Sequence, residues 1–171
     1  MTHRDNFRSW FADHIRLLSG KESAGFLITI ATFPLLERYV KQLTNAEPKS
    51  PKFLPGLRKV LPDLDSDDAA RTFWTTYRHG LLHNVTMSRE THGLTHDSLK
   101  AVEVHASGKV WLHPVLFSER VLSVIENDFA TFEGGPKPLP VVYGYVQVPE
   151  HPGAPNYYQG TGTLPGQGGK P

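Results

Sequence analysis

One short stretch of the chain gathers side chains that could transfer protons or bind phosphate. Arg78, His79, His83 and Asn84 lie within seven residues of one another. Histidine exchanges protons near neutral pH, and the planar guanidinium of arginine can hold two phosphate oxygens. Attack of a ribose 2′-hydroxyl on its own phosphate needs a proton acceptor, a proton donor and positive charge at the phosphate. The stretch therefore predicts a site for RNA cleavage that uses no metal ion.

Each residue of this stretch has a predicted role in such a reaction. His83 is the predicted proton-transfer group, and Arg78 is predicted to stabilise the charge on the phosphate. His79 is predicted to orient the phosphate or to act as the complementary acid. Asn84, which could fix an imidazole by a hydrogen bond, and Tyr77 are the predicted substrate-binding residues.

Two other interpretations account for the same residues. Arginine and histidine are favoured at helix C-termini, where they can satisfy free carbonyl groups, although Gly80 inside the last turns would cost about 1 kcal/mol against alanine. His79 and His83 are also four residues apart, as two metal ligands on one helix face would be, and His92 and His96 repeat this spacing. The chain lacks the glutamate of a His-Glu-x-x-His zinc motif at this point. We predict neither a metal site nor another cofactor.

The helix that positions these residues is predicted over about 67–83. Asp65 or Ser66 can accept hydrogen bonds from its first free N–H groups. Arg78 and His83 then lie in its last turns, about 140° apart around the axis of a straight α-helix. They converge only if the helix ends near His83 or if a two-fold related copy supplies its own pair.

The rest of the chain predicts a mainly α fold with four main helices, over about 7–18, 23–43, 67–83 and 114–132. Pro34 is predicted to kink the second helix. A small β-hairpin, formed by 99–105 and 109–113, precedes the last helix. Residues 44–55 and 85–98 are predicted to be irregular. The predicted domain covers 1–132, and 133–171 is a Pro/Gly-rich tail with one candidate strand at 141–148.

Composition narrows the function classes. The chain has 171 residues, a formal net charge of +1 and no cysteine. A charge this small argues against general coating of polyanions, and the lack of cysteine excludes disulfides and thiolate chemistry. We predict no membrane segment and a cytoplasmic location. The three tryptophans fall on apolar patterns and are predicted to lie in the core, at Trp10, Trp74 and Trp111.

The run from Tyr77 to His83 resembles the Arg-x(4–6)-His motif of the HEPN superfamily, in a form with an aromatic residue before the arginine and Gly-Leu after the polar position. The resemblance implies a HEPN-like helical bundle and an endoribonuclease with Arg78 and His83 as its catalytic pair. It also implies an RNA substrate, a homodimer with a composite cleft, and a role in defence or stress response. His79 stands where asparagine or aspartate is usual.

The same resemblance also implies an alternative function without catalysis and a protein regulator as a further partner. Some HEPN domains are not nucleases and act as nucleotide-binding, RNA-binding or protein-interaction modules. Others are toxins that a protein antitoxin or regulator controls. The toxins controlled by a nucleotidyltransferase often have a tyrosine two residues after the histidine, where this chain has Val85.

Overall fold

The chain folds into helices that pack against one another, together with a small sheet. The computed structural model describes residues 2–80, 92–105 and 107–134. Of these residues 67% are helical, and a three-stranded sheet accompanies the helices. The prediction of a mainly α fold is confirmed.

The first helical segment begins at a capping box. The Thr2 hydroxyl accepts from the Asp5 N–H, and the Asp5 carboxylate accepts from the Thr2 N–H in return. Helix α1 (His3–Phe7) continues through a π-helical turn (Arg8–Ala12) into α2 (Asp13–Ser19), which ends at Gly20 as predicted. The segment begins earlier than predicted because this cap precedes the apolar stripe.

The long central helix follows almost at once. A 3₁₀ turn (Glu22–Ala24) leads into α3 (Gly25–Thr44), which contains Pro34 and ends where Asn45 adopts a left-handed conformation. Next comes α4 (Phe53–Val60), whose first three residues fall in the stretch 44–55 that was predicted to be irregular. The proline content of this stretch favoured a loop. Pro55, however, lies in the first turn of α4, where the N–H that proline lacks would have no helical partner.

The helix that carries the motif starts as predicted and then changes its geometry. Helix α5 (Asp67–Trp74) begins at Ser66, whose hydroxyl accepts from the Ala69 N–H at 3.1 Å. It continues as a π-helical turn (Thr75–His79).

The sheet contains one strand more than predicted. Strands β2 (Val102–Val104) and β3 (Val110–Leu112) form the predicted antiparallel hairpin. Strand β1 (His92–Leu94) pairs with β3 in parallel, so the order is β1-β3-β2. The prediction of an irregular stretch over 85–98 is wrong at β1, because three residues that include a glycine carry no strand pattern.

The last predicted helix is two helices. Helix α6 (Pro114–Asn127) is followed by α7 (Phe129–Glu133), and Asp128 separates them. The Asp128 carboxylate caps α7 by accepting from the Thr131 N–H, and it also accepts from the Tyr39 hydroxyl at 2.9 Å. The break is therefore a cap built from a side chain, which an apolar pattern does not reveal.

The core is centred on an aromatic cluster around Phe33 of α3. Its ring lies 5.5 Å from Phe73, 5.8 Å from Trp74 and 5.5 Å from Phe117, measured between centroids. The core prediction is confirmed for Trp74 and wrong for the other two tryptophans. The exposed fractions are 56% at Trp10 and 37% at Trp111.

Trp111 lies over Gly93 on the outer face of the sheet. A Cβ at Gly93 would lie 2.5 Å from Cζ3 of Trp111. We expect Gly93→Ala to lower the free energy of unfolding by about 1–3 kcal/mol, because the indole must leave the strand. In a Trp111→Ala background the same change should cost less, which urea unfolding of the four proteins would measure. Equal costs in both backgrounds would contradict this explanation.

A partly buried ion pair between α2 and α6 makes stability depend on pH. The guanidinium of Arg16 holds both carboxylate oxygens of Glu126, at 2.9 and 3.1 Å. This hydrogen bonding lowers the pKa of the Glu126 carboxyl below its ordinary value of 4.5. The contribution to stability is therefore present above that value and is lost as the pH falls through the lower folded pKa. We expect Glu126→Gln to be less stable near neutral pH and to lose less stability on acidification, as urea unfolding across the acidic range would show. A parallel shift of the two pH curves would contradict the assignment.

Two further predictions concern the membrane and the tail. In the ranges that the structure describes, no helix combines the length and the apolar character needed to cross a bilayer. The candidate strand at 141–148 lies outside the described residues, as does the tail beyond residue 134.

Candidate functional site

Arg78 lies in the π-helical turn that follows α5. Its side chain is half-buried, and its Nε lies 3.3 Å from Oε2 of Glu37 in α3. The Glu37 side chain is itself only 20% exposed. π-helical turns occur frequently at functional sites, because the extra residue re-aims the side chains that follow.

Glu37 is a residue of this site that the sequence did not indicate. It is separated from Arg78 by 41 positions and lies on the partly polar side of an otherwise apolar helix. No local pattern distinguishes it from a solvated glutamate. Its contact with Arg78 depends on how α3 and α5 pack. The carboxylate holds the guanidinium through Nε and so restricts the plane of the fork.

Tyr77 belongs to the core. The residue is fully buried, and its hydroxyl lies 2.8 Å from the Gly93 carbonyl oxygen and 3.1 Å from that of Val110. Its ring stacks on Phe33 at 6.3 Å, and burial raises the pKa of the Tyr77 hydroxyl. We therefore assign Tyr77 a structural role in place of the predicted substrate contact. It joins the start of the motif to strands β1 and β3.

The other motif residues are only partly described. The backbone of His79 completes the π-helical turn, and Gly80 follows it. His83 and Asn84, together with Val85, lie outside the described residues. The predicted angle of about 140° between Arg78 and His83 assumed a regular α-helix. That assumption fails at Thr75–His79, where the backbone hydrogen bonds span five residues.

The second histidine pair with metal-ligand spacing, His92 and His96, does not lie on a helix. His92 is in a strand and His96 follows it, so their spacing does not place them on one helix face. The His96 ring lies 5.4 Å from that of His113, whose Nδ1 accepts from the Leu116 N–H at the start of α6. Accepting at Nδ1 leaves the proton of neutral His113 on Nε2. Within the described ranges, no group of three or more His, Asp or Glu side chains could hold a metal ion.

Comparison with known proteins adds no family to these observations. No family model, no curated protein and no solved structure matches the chain, so the proposals below rest on its own residues.

Proposed function

We propose that the protein is a metal-independent endoribonuclease of the HEPN type. The observation that carries the proposal is Arg78, half-buried in a π-helical turn and held by Glu37 at the start of the Arg-x(4–6)-His motif. The order along the chain, with the motif helix followed by a small sheet and then the final helices, also supports a HEPN-like arrangement. The bundle of that family, its homodimer and its composite cleft are parts of the same proposal.

The reaction is attack of a ribose 2′-oxygen on the adjacent phosphorus, with departure of the 5′-oxygen. His83 takes the proton of the 2′-hydroxyl, and His79 or the second copy of His83 protonates the leaving oxygen. Arg78 donates to the phosphate oxygens as negative charge accumulates on them. The products are a 2′,3′-cyclic phosphate and a 5′-hydroxyl. Asn84 holds an imidazole in its reactive orientation.

Glu37 acts in this mechanism as a positioning residue. A bound guanidinium has fewer orientations to lose when the phosphate arrives, which lowers the entropic cost of reaching the transition state. Glu37→Gln retains the shape of the side chain and removes its charge. We expect this variant to cleave more slowly than the wild type and to retain its fold.

The same ion pair favours one alternative function. If the role of Arg78 is to join α5 to α3, the cleft is a binding site without catalysis for a nucleotide, RNA or a protein regulator. Arg78→Ala would then lower the free energy of unfolding, and neither the wild type nor the variant would cleave RNA. Loss of a partly buried charge pair typically costs more than loss of an exposed one.

The deciding experiment is incubation of the protein with a mixture of tRNA and structured RNA in excess EDTA. The proposal expects cleavage and product ends that carry 2′,3′-cyclic phosphate. RNA that stays intact over a range of protein concentrations, together with saturable binding, would favour the binding module. Cleavage that requires an added divalent cation would contradict both functions.

A further inference from the structure

A groove runs along the outer face of α6. It lies between α6 and the loop that precedes β2, and its volume is about 530 Å³. Sites for small molecules typically occupy roughly 300–1,000 Å³. None of the residues that line it belongs to the Arg78 motif.

One side of the groove is a single stripe of α6. Leu116, Arg120, Ser123 and Asn127 recur at three- and four-residue spacing and all line the groove. Such spacing places side chains on one face of a helix. The stripe combines an apolar end, a guanidinium, a hydroxyl and an amide.

The opposite side is a loop whose backbone is held by hydrogen bonds. The Ser98 hydroxyl accepts from the Lys100 N–H at 2.9 Å and donates to the Lys100 carbonyl. The Asp63 carboxylate accepts from the N–H groups of Ala101 and Val102. This fixed loop presents Leu99 to solvent with 97% of its surface exposed. The apolar side chain is thus held in water at the rim of the groove.

The cations of the groove favour an anionic ligand. Of its two acids, Glu119 is paired with Arg16 at 3.3 Å. The Asp63 carboxylate accepts from two backbone N–H groups and keeps one negative charge against the two cations. No carboxylate of the described residues lies within ion-pairing distance of Lys100 or Arg120, the two cations of the groove. Arginine and lysine are the side chains that proteins use to bind phosphate.

We propose that this groove binds a nucleoside phosphate, either free or as one unit of an RNA strand. Lys100 and Arg120 hold the phosphate, and the base lies against Leu99 and Leu116. Asn127 offers both a donor and an acceptor to the base edge. Binding here does not require the cleavage reaction, so the two proposals can fail separately.

The test uses two probes on the full chain: adenosine monophosphate, and a short fluorescent oligoribonucleotide in which every 2′-hydroxyl is methylated. The methylated strand lacks the attacking hydroxyl, so binding is measured without cleavage. We expect saturable binding of at least one probe and about tenfold weaker binding for Arg120→Ala and for Lys100→Ala, since each removes a charge-assisted hydrogen bond. Lys49→Ala removes an exposed lysine that does not line the groove and should bind as the wild type does.

Each outcome has one meaning. Binding of adenosine monophosphate alone would identify a nucleotide ligand, and binding of the oligonucleotide alone would identify a strand-binding site. Binding that Arg120→Ala and Lys100→Ala leave unchanged, or no binding of either probe, would overturn the proposal. Retention of binding in Arg78→Ala would separate the groove from the motif.

Discussion

Replacing Arg78 by alanine should lower the rate of RNA cleavage in EDTA by about 10²–10³-fold. This is the usual effect of losing one fixed hydrogen-bond donor that stabilises the negative charge of the transition state. Replacing His83 by alanine should lower the rate by about 10²–10⁴-fold, because proton transfer then falls to water. Single-turnover cleavage of a defined RNA with each protein in excess would measure both rates. The Arg78→Lys variant should fall between wild type and alanine, since lysine keeps the charge and loses the planar fork.

The control for these variants is Lys52→Ala, which removes one positive charge from an exposed site at the start of α4. It should cleave at the wild-type rate if the effect of Arg78 is local. Urea unfolding of every variant separates loss of activity from loss of fold. Wild-type cleavage rates in both Arg78→Ala and His83→Ala would show that the motif is not the active site.

The largest expected effect on stability is at Phe33. Its ring contacts Phe73, Trp74, Tyr77 and Phe117, which belong to α5, the π-helical turn and α6. Phe33→Ala opens a cavity among these elements and should lower the free energy of unfolding by about 3–5 kcal/mol. Equilibrium unfolding in urea measures this loss directly.

A second substitution on the same helix provides the comparison. Leu27 is also in α3 but is 57% exposed. Leu27→Ala should change the free energy of unfolding by no more than about 0.5 kcal/mol. Similar losses in the two variants would mean that the α3 helix itself, and not the aromatic cluster, determines the stability.

The elements that could be predicted are those whose residues follow a regular apolar spacing or contain recognisable turn residues. Helices α3 and α5, and the hairpin of β2 and β3, have apolar periods or turn residues that can be counted. Strand β1 has no such signal, since it contains a glycine and no hairpin turn joins it to its parallel partner β3. The break at Asp128 depends on a single carboxylate. The π-helical turn at Thr75–His79 likewise leaves no mark on the apolar pattern.

The candidate site also contains residues that the sequence could predict and residues that it could not. Arg78 could be predicted because its neighbours in sequence form the motif, whereas Glu37 is brought to it only by the packing of two helices. Tyr77 was predicted to bind substrate, yet its ring and hydroxyl are both used inside the core. Trp111 was assigned to the core from its strand pattern, although its ring lies outside the sheet over a glycine. Adjacency in sequence predicts chemistry better than it predicts which way a side chain points.

The hydroxyl of Tyr77 acts as a non-covalent cross-link in the chain. It bonds the carbonyl of Gly93, sixteen residues later, and so anchors the chain on both sides of the stretch that contains His83. The same hydroxyl lies 3.1 Å from the Val110 carbonyl oxygen, so the cross-link reaches both β1 and β3. Arg78 follows Tyr77 directly, and the cross-link therefore fixes the backbone position from which the guanidinium extends.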